Sequence, residues 1–432
     1  MTQTTNNHHV QLHTSVLDST DAVEVPQQPT PTAPAGTTTE RIQRQPVDVL
    51  FDSPGGASAS LRRVVPPRRG TGFLRHRFDI AGLLTVGSDI DLPELAFFRE
   101  PSLGRDLDIE VRVGKVGPAG PRGRARLVRF DEPAGIRYEE HLGRLGANFS
   151  IDLGGRIHVT VSKLLARSPH VAYTNIIEAL LRYAVAARGA MLLHSACVEI
   201  DGKGVMLSAR TDTGKTGTVL RLLREQGARF LSDDMTILYS DGTAHCFPKP
   251  LTISSHTLRA VDPGDLKRLE WIVLGLKSRL HSKGGRGIGM RIGEQNLPVM
   301  TANAITQMLV PPPKYGADRL VACDVIPETR VHDLFIIERG APALSELDVE
   351  QATQELMENT DDAYGFPPYR YVAPVLHIGG EHYESLRAKE EGVLRRALLS
   401  MRVRRLASDS FGWADEIPKL LTPGRAGEST GY

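Results

Sequence analysis

The sequence predicts an α/β fold in which a mixed, partly antiparallel sheet carries a phosphate-binding loop, with a β-rich segment and a polar tail ahead of it. Three observations predict this. Short runs of β-like pattern fill residues 46–170. A hairpin signal at Asp201-Gly202 leads into "ARTDTGKT" and then into a helix. After that helix, a strand returns the chain to Asp233-Asp234. The expected divisions are a disordered tail over 1–45, a β-rich domain over 46–170 and a loop-bearing domain over 171–432.

Composition narrows the classes. A chain of 432 residues is long enough for two or three domains with a sizeable core. Its net charge of +1 gives no whole-chain reason to expect nucleic acid or an anionic membrane surface as partner. Cys197, Cys246 and Cys323 form neither a metal-ligand spacing nor a disulfide framework, which points to a reducing cytoplasm. The N-terminus lacks a secretory pattern, and the most apolar region, "IIEALLRYAVAARGAMLLHSACV", is cut by Arg182 and Arg188. No membrane span is expected. Homo-oligomerisation stays open.

Each element has its own signal. The tail, rich in Thr, Gln and Pro, cannot bury enough surface to offset its ordering entropy. In "LDIEVRVGKV", Leu107, Ile109, Val111 and Val113 alternate onto one strand face. "GANFSIDLGGRIHVTV" gives two strands around Gly154-Gly155. "TNIIEALLRYAVAARG" is a helix with Ile176, Ile177, Leu180, Leu181 and Ala184 on its apolar stripe. "TGTVLRLLREQG" is a helix with Val219, Leu220, Leu222 and Leu223 inward, and "ARFLSDDMTILYSDG" returns as a strand. "LKRLEWIVLGLKSRL", "DVEQATQELMEN" and "LRAKEEGVLRRALLSMRV" are helices, and "VHDLFIIERG" is a strand.

The loop comprises Ala209, Arg210, Thr211, Asp212, Thr213, Gly214, Lys215 and Thr216. It follows the G-x-x-x-x-G-K-[ST] pattern with alanine at the first glycine. Such a loop points backbone N–H groups at phosphate, with a helix N-terminus behind them and a lysine for the outer phosphates. Thr216 offers a hydroxyl to Mg²⁺. Alanine at 209 costs about 1–2 kcal/mol if that position needs positive φ. Asp233-Asp234 follow Lys215 by 18 and 19 residues, so strand return sets both beside the loop. There one carboxylate of the pair can hold metal and the other can accept a proton from a hydroxyl. His194, on an apolar strand, reads either as a buried histidine bonded to backbone or as a site residue in register with Lys215. Lys314 and Arg319 in "PPPKYGADR" are phosphate contacts or solvated surface, and "HIGGEHYE" lacks zinc spacing and reads as a turn.

"HSACVEIDGKGVMLSARTDTGKTGTVLRLLREQGARFLSDD" resembles the HPr kinase/phosphorylase group of the phosphoenolpyruvate-carboxykinase-like superfamily. The resemblance lies in a histidine on a hairpin strand, a glycine-containing turn, the loop, a helix and a closing Asp-Asp. "RGIGM" (286–290) is similar to that group's Arg-Gly-aliphatic-Gly signature. The resemblance implies a kinase domain of that fold, using ATP and Mg²⁺, with His194, Lys215 and Asp234 catalytic. The chain departs from the group at Ala209, Asp212, Gly217 and Gly284, so it fits as a divergent member. The expected activity is phosphoryl transfer to a hydroxyl of a protein, peptide or small molecule. The alternative is a nucleotide-binding sensor or scaffold without turnover.

Overall fold

A computed structural model describes residues 72–104, 106–116, 125–131, 134–211, 213–252, 298–312, 314–364, 369, 373 and 376–421. The tail over 1–45, Asp212, the helix expected in "LKRLEWIVLGLKSRL", Gly284 and "RGIGM" lie outside the described residues. All described residues belong to one compact unit, Pro46–Tyr432. The fold is mixed α/β, built on two mixed sheets.

The first sheet uses β1 (His76–Ile80), β2 (Leu84–Ser88), β3 (Ile109–Val113), β4 (Arg126–Asp131), β5 (Ala134–Glu139), β6 (Phe149–Asp152) and β7 (Ile157–Val161). Their order is β1-β2-β3-β7-β6-β5-β4. β3 lies parallel to β2 and β7, and the other pairs are antiparallel. The hairpin expected around Gly154-Gly155 forms between β6 and β7. Leu107, Ile109 and Val111 point into the core as their alternation requires, but Val113 ends its strand exposed.

Helix α1 (Glu178–Ala187) follows a π-helical turn over Tyr173–Ile177. Ile176 and Ile177 therefore sit in that turn and not in the α-helix proper. The expected single stripe is also a correction: Ala179, Arg182, Tyr183 and Val185 are buried along with Leu180, Leu181 and Ala184. A helix enclosed on all sides has no solvent face for a stripe to contrast with.

The second sheet starts with β8 (Met191–Leu193), β9 (Ser195–Ile200) and β10 (Lys203–Ser208). Asp201 and Gly202 turn between β9 and β10 with φ of 50° and 75°. Two left-handed residues in succession suit the twist of a tight hairpin. Helix α2 (Lys215–Glu225) follows the loop, then β11 (Arg229–Ser232), β12 (Thr236–Leu238) and β13 (Thr243–His245). The single strand expected over 228–242 is thus two, broken at Asp233-Asp234.

Beyond a small pair, β14 (Leu251–Thr252) and β15 (Lys314–Tyr315), which flank α3 (Val299–Leu309) in sequence, comes the long strand β16 (Glu328–Arg339). β17 (Ala343–Glu346), α4 (Val349–Ala363), the hairpin β18 (His377–Ile378) and β19 (Glu381–His382), α5 (Tyr383–Leu398), β20 (Arg402–Ser408) and α6 (Trp413–Leu420) complete the fold. The helix expected to run through Val403 stops at Leu398, because Met401 onward feeds β20. Strand order is β11-β9-β10-β16-β13-β12-β8, with β20 on β16 and β17 on β20. β10, β16 and β20 run parallel, while β9 is antiparallel to β10.

The largest apolar core joins the first sheet to α1 and to Leu192, Ile237, Phe247 and Leu386. Phe98 from the first sheet's side meets Phe247 at 5.2 Å between ring centroids. No helix among the described residues is long and apolar enough to cross a membrane.

Candidate nucleotide and phosphoryl-transfer site

The loop leaves the carboxyl end of β10 and turns directly into α2. Ala209 is buried and does not adopt a positive φ, so alanine escapes the backbone penalty that the glycine pattern suggests. Arg210 closes the first turn, its carbonyl accepting from the Thr213 N–H at 3.2 Å and hydroxyl at 2.8 Å. Gly214 has φ of +133°, and a Cβ there would lie 2.9 Å from the Phe411 ring. Both facts demand glycine at that position. Thr211 donates its N–H and hydroxyl to Asp362 at 3.3 and 2.9 Å, tying the loop to the end of α4.

Lys215 opens α2. Among the described residues its buried Nζ has no hydrogen-bond partner. Burial lowers its proton affinity, while Asp234 and Asp233 oppose that fall. An enclosed ammonium without a bonded acceptor is poised for an anion.

Thr216 donates its hydroxyl to Asp233 Oδ2 at 2.7 Å. The second carboxylate oxygen, Oδ1, is buried and has no partner among the described residues. Burial pushes the Asp233 carboxyl up to about 6, against the pull of Lys215 and Thr216. A hydroxyl and a carboxylate with a spare oxygen are hard donors of the kind Mg²⁺ prefers. Among the described residues no group of three or more His, Cys, Asp or Glu could hold a metal ion.

The strand ends at Ser232, which lets the next two side chains serve one site. Asp234 accepts from Lys249 Nζ at 2.5 Å and faces His194 Nε2 at 3.5 Å. Lys249 also reaches Glu178 on α1, at 2.9 and 3.1 Å. Partial desolvation works against charge on the half-exposed Asp234, but Lys249, then His194, then Lys215 outweigh it and hold the carboxyl well below its usual range. His194 occupies the bend between β8 and β9. Its Nδ1 lies 3.0 Å from the Asn359 carbonyl of α4, and burial keeps the ring's proton affinity below that of a free imidazole. A carbonyl only accepts, so Nδ1 carries a proton there, and Nε2 supports the charge on Asp234 only when it carries a proton as well. His194 is thus the buried, backbone-bonded histidine of the first reading, and its ring also borders Asp234.

His194, Lys215, Thr216, Asp233 and Asp234 converge as expected. Lys314 does not join them: it pairs with buried Glu94 at 2.5 Å and meets His170 at 2.6 Å. Arg319 stacks on Tyr315. "HIGGEHYE" forms the β18–β19 hairpin. Glu178, Asn359 and Asp362 carry no motif or spacing in the sequence that marks them for this site. For Lys249 a signal existed in "FPKP", a lysine between prolines next to apolar residues.

No protein-family model matches the chain, and a search of curated proteins returns no significant match.

Proposed function

We propose that the protein is an ATP-dependent phosphotransferase, a divergent kinase of the HPr-kinase-like P-loop class, acting on a hydroxyl of a protein, peptide or small-molecule acceptor. The observation that carries this reading is the pairing of an unpartnered buried Lys215 Nζ with two adjacent carboxylates held in different surroundings. Lys215 and the loop N–H groups bind the β- and γ-phosphates. Thr216 and Asp233 would hold Mg²⁺, which when bound offsets phosphate charge. Asp234 takes the proton from the acceptor hydroxyl as its oxygen bonds to the γ-phosphorus. The bond from that phosphorus to the bridging oxygen breaks, and its electron pair leaves on ADP. In the neutral ring, with its proton on Nδ1, His194 Nε2 can accept a hydrogen bond from the protonated Asp234.

Titration calorimetry with Mg-ATP tests the reading. Wild type should bind, and Lys215→Ala should bind at least about tenfold more weakly, the loss of one charge-assisted contact. Equal affinity in both proteins would remove the loop from consideration.

A further inference from the structure

The two flanks of β10 carry different chemistry. Toward β9 and β11 lie His194, Asp234 and Lys249. Toward β16 and β20 lie Arg339, the last residue of β16, and the turn Ser408–Gly412 beyond β20. Open α/β sheets bind ligands in the crevice outside the carboxyl ends of parallel strands, and β10, β16 and β20 end together here.

Phe411 stands in that turn, against Gly214 of the loop. It is 40% exposed and adopts φ of 59°. A bulky residue in the left-handed region is a strained choice. Glycine would take that φ freely, and a polar side chain would suit the exposure. The surroundings fix the ring in place. Trp413 meets it edge-on at 5.5 Å between centroids, and Ser408 Oγ accepts from the N–H groups of Ser410 and Gly412 at 3.3 and 3.2 Å. The Arg339 guanidinium lies over the ring, 4.4 Å from its centroid, and its Nε donates to the Thr213 carbonyl at 2.9 Å. A phenyl ring and a guanidinium, both flat and both tied to the phosphate loop, are the groups that stack on a nucleobase.

We propose that Phe411 and Arg339 form the platform for the purine base of the bound nucleotide. The proposal rests on the nucleotide reading above and orients it. The γ-phosphate faces Asp234 on the β9 flank, and the base lies on the β20 flank, with the loop between them. Phe411 thereby sets selectivity for a nucleoside triphosphate over a bare polyphosphate.

The test compares Mg-ATP with Mg-tripolyphosphate, which carries the phosphates alone, by calorimetry on the full chain. Phe411→Gly is the informative variant, because glycine fits the backbone there and preserves the fold. Expected results are a loss of Mg-ATP affinity of about 5- to 100-fold in Phe411→Gly, unchanged tripolyphosphate affinity, and recovery of ATP binding in Phe411→Trp. Lys215→Ala should weaken both ligands. Unchanged ATP affinity in Phe411→Gly, or equal loss of both ligands, would overturn the platform while leaving the phosphate loop standing. Wild type binding tripolyphosphate as tightly as ATP would do the same. Wild type binding neither would remove the nucleotide reading and this proposal together.

Discussion

Asp233 and Asp234 differ by one position in the chain and by the partner each meets, Thr216 for the first and Lys249 for the second. Adjacent residues on a continuing strand would face opposite sides of the sheet, so the break at Ser232 is what gives both to one site. Different partners imply different losses on substitution. Asp234→Asn should retain Mg-ATP binding but slow phosphate release from Mg-ATP by a factor of about 10²–10⁴, the usual effect of removing a proton acceptor. Asp233→Asn should instead lose the Mg²⁺ dependence of ATP binding. Full turnover in Asp234→Asn would show that this carboxylate is not the base. The Thr216–Asp233 contact was legible in the sequence because strand, loop, helix and returning strand are contiguous, and their lengths fix where residue 233 lands. The pairing of Lys249 with Asp234 and Glu178 was not legible. The meander of β12 and β13 carries it back to Asp234, and Glu178 meets it from a helix 71 residues earlier, so no local period records the triad.

At the scale of elements, hairpins and amphipathic helices announced themselves. β9–β10 and α2 follow from turn chemistry and a one-sided apolar pattern; α1 forms where its apolar residues place a helix, but, buried on all sides, it lacks the single stripe read from them. Contacts between elements also carry titration behaviour. Glu140, just after β5, is buried and accepts from the Tyr138 hydroxyl at 2.8 Å and from the N–H of Thr301 on α3. Burial pushes its carboxyl up to about 7 despite those bonds. Glu140 thus holds a proton more tightly folded than unfolded. Its contribution favours the fold fully below the ordinary value of 4.5 and is lost as pH rises through about 7. Glu140→Gln should therefore melt above wild type at pH 8, with the difference closing toward pH 5. A variant less stable than wild type at pH 8 in thermal scans would show that the ionised carboxylate is fully compensated by its donors.

For the whole molecule, the decisive feature is the apolar core running from Phe78 in β1 to Leu386 in α5. The sheet formed before residue 170 and the loop-bearing sheet after it share those buried side chains, and Phe98 packs on Phe247 two residues before Lys249. A fragment of residues 171–432 should expose Leu192, Ile237 and Phe247 and behave as a compact state with disordered packing. Dye binding and loss of near-ultraviolet circular dichroism are the expected readouts. A fragment with native circular dichroism and full Mg-ATP affinity would show that the loop-bearing part closes a core of its own. The pattern of β-like runs made the first sheet visible in the sequence, but a shared core is a property of docking and leaves no periodicity behind.

The same core bears on how such a chain can be rearranged. The loop-bearing half is no cassette: moved into another polypeptide, it would arrive with an apolar face that its former neighbour used to cover. Lineages that shuffle this protein, and engineers who graft it, must therefore carry both sheets together or supply a replacement surface. Drift in the β-rich half is then constrained by the chemistry of the other half, since a substitution at Phe98 reaches Lys249 through a single aromatic contact.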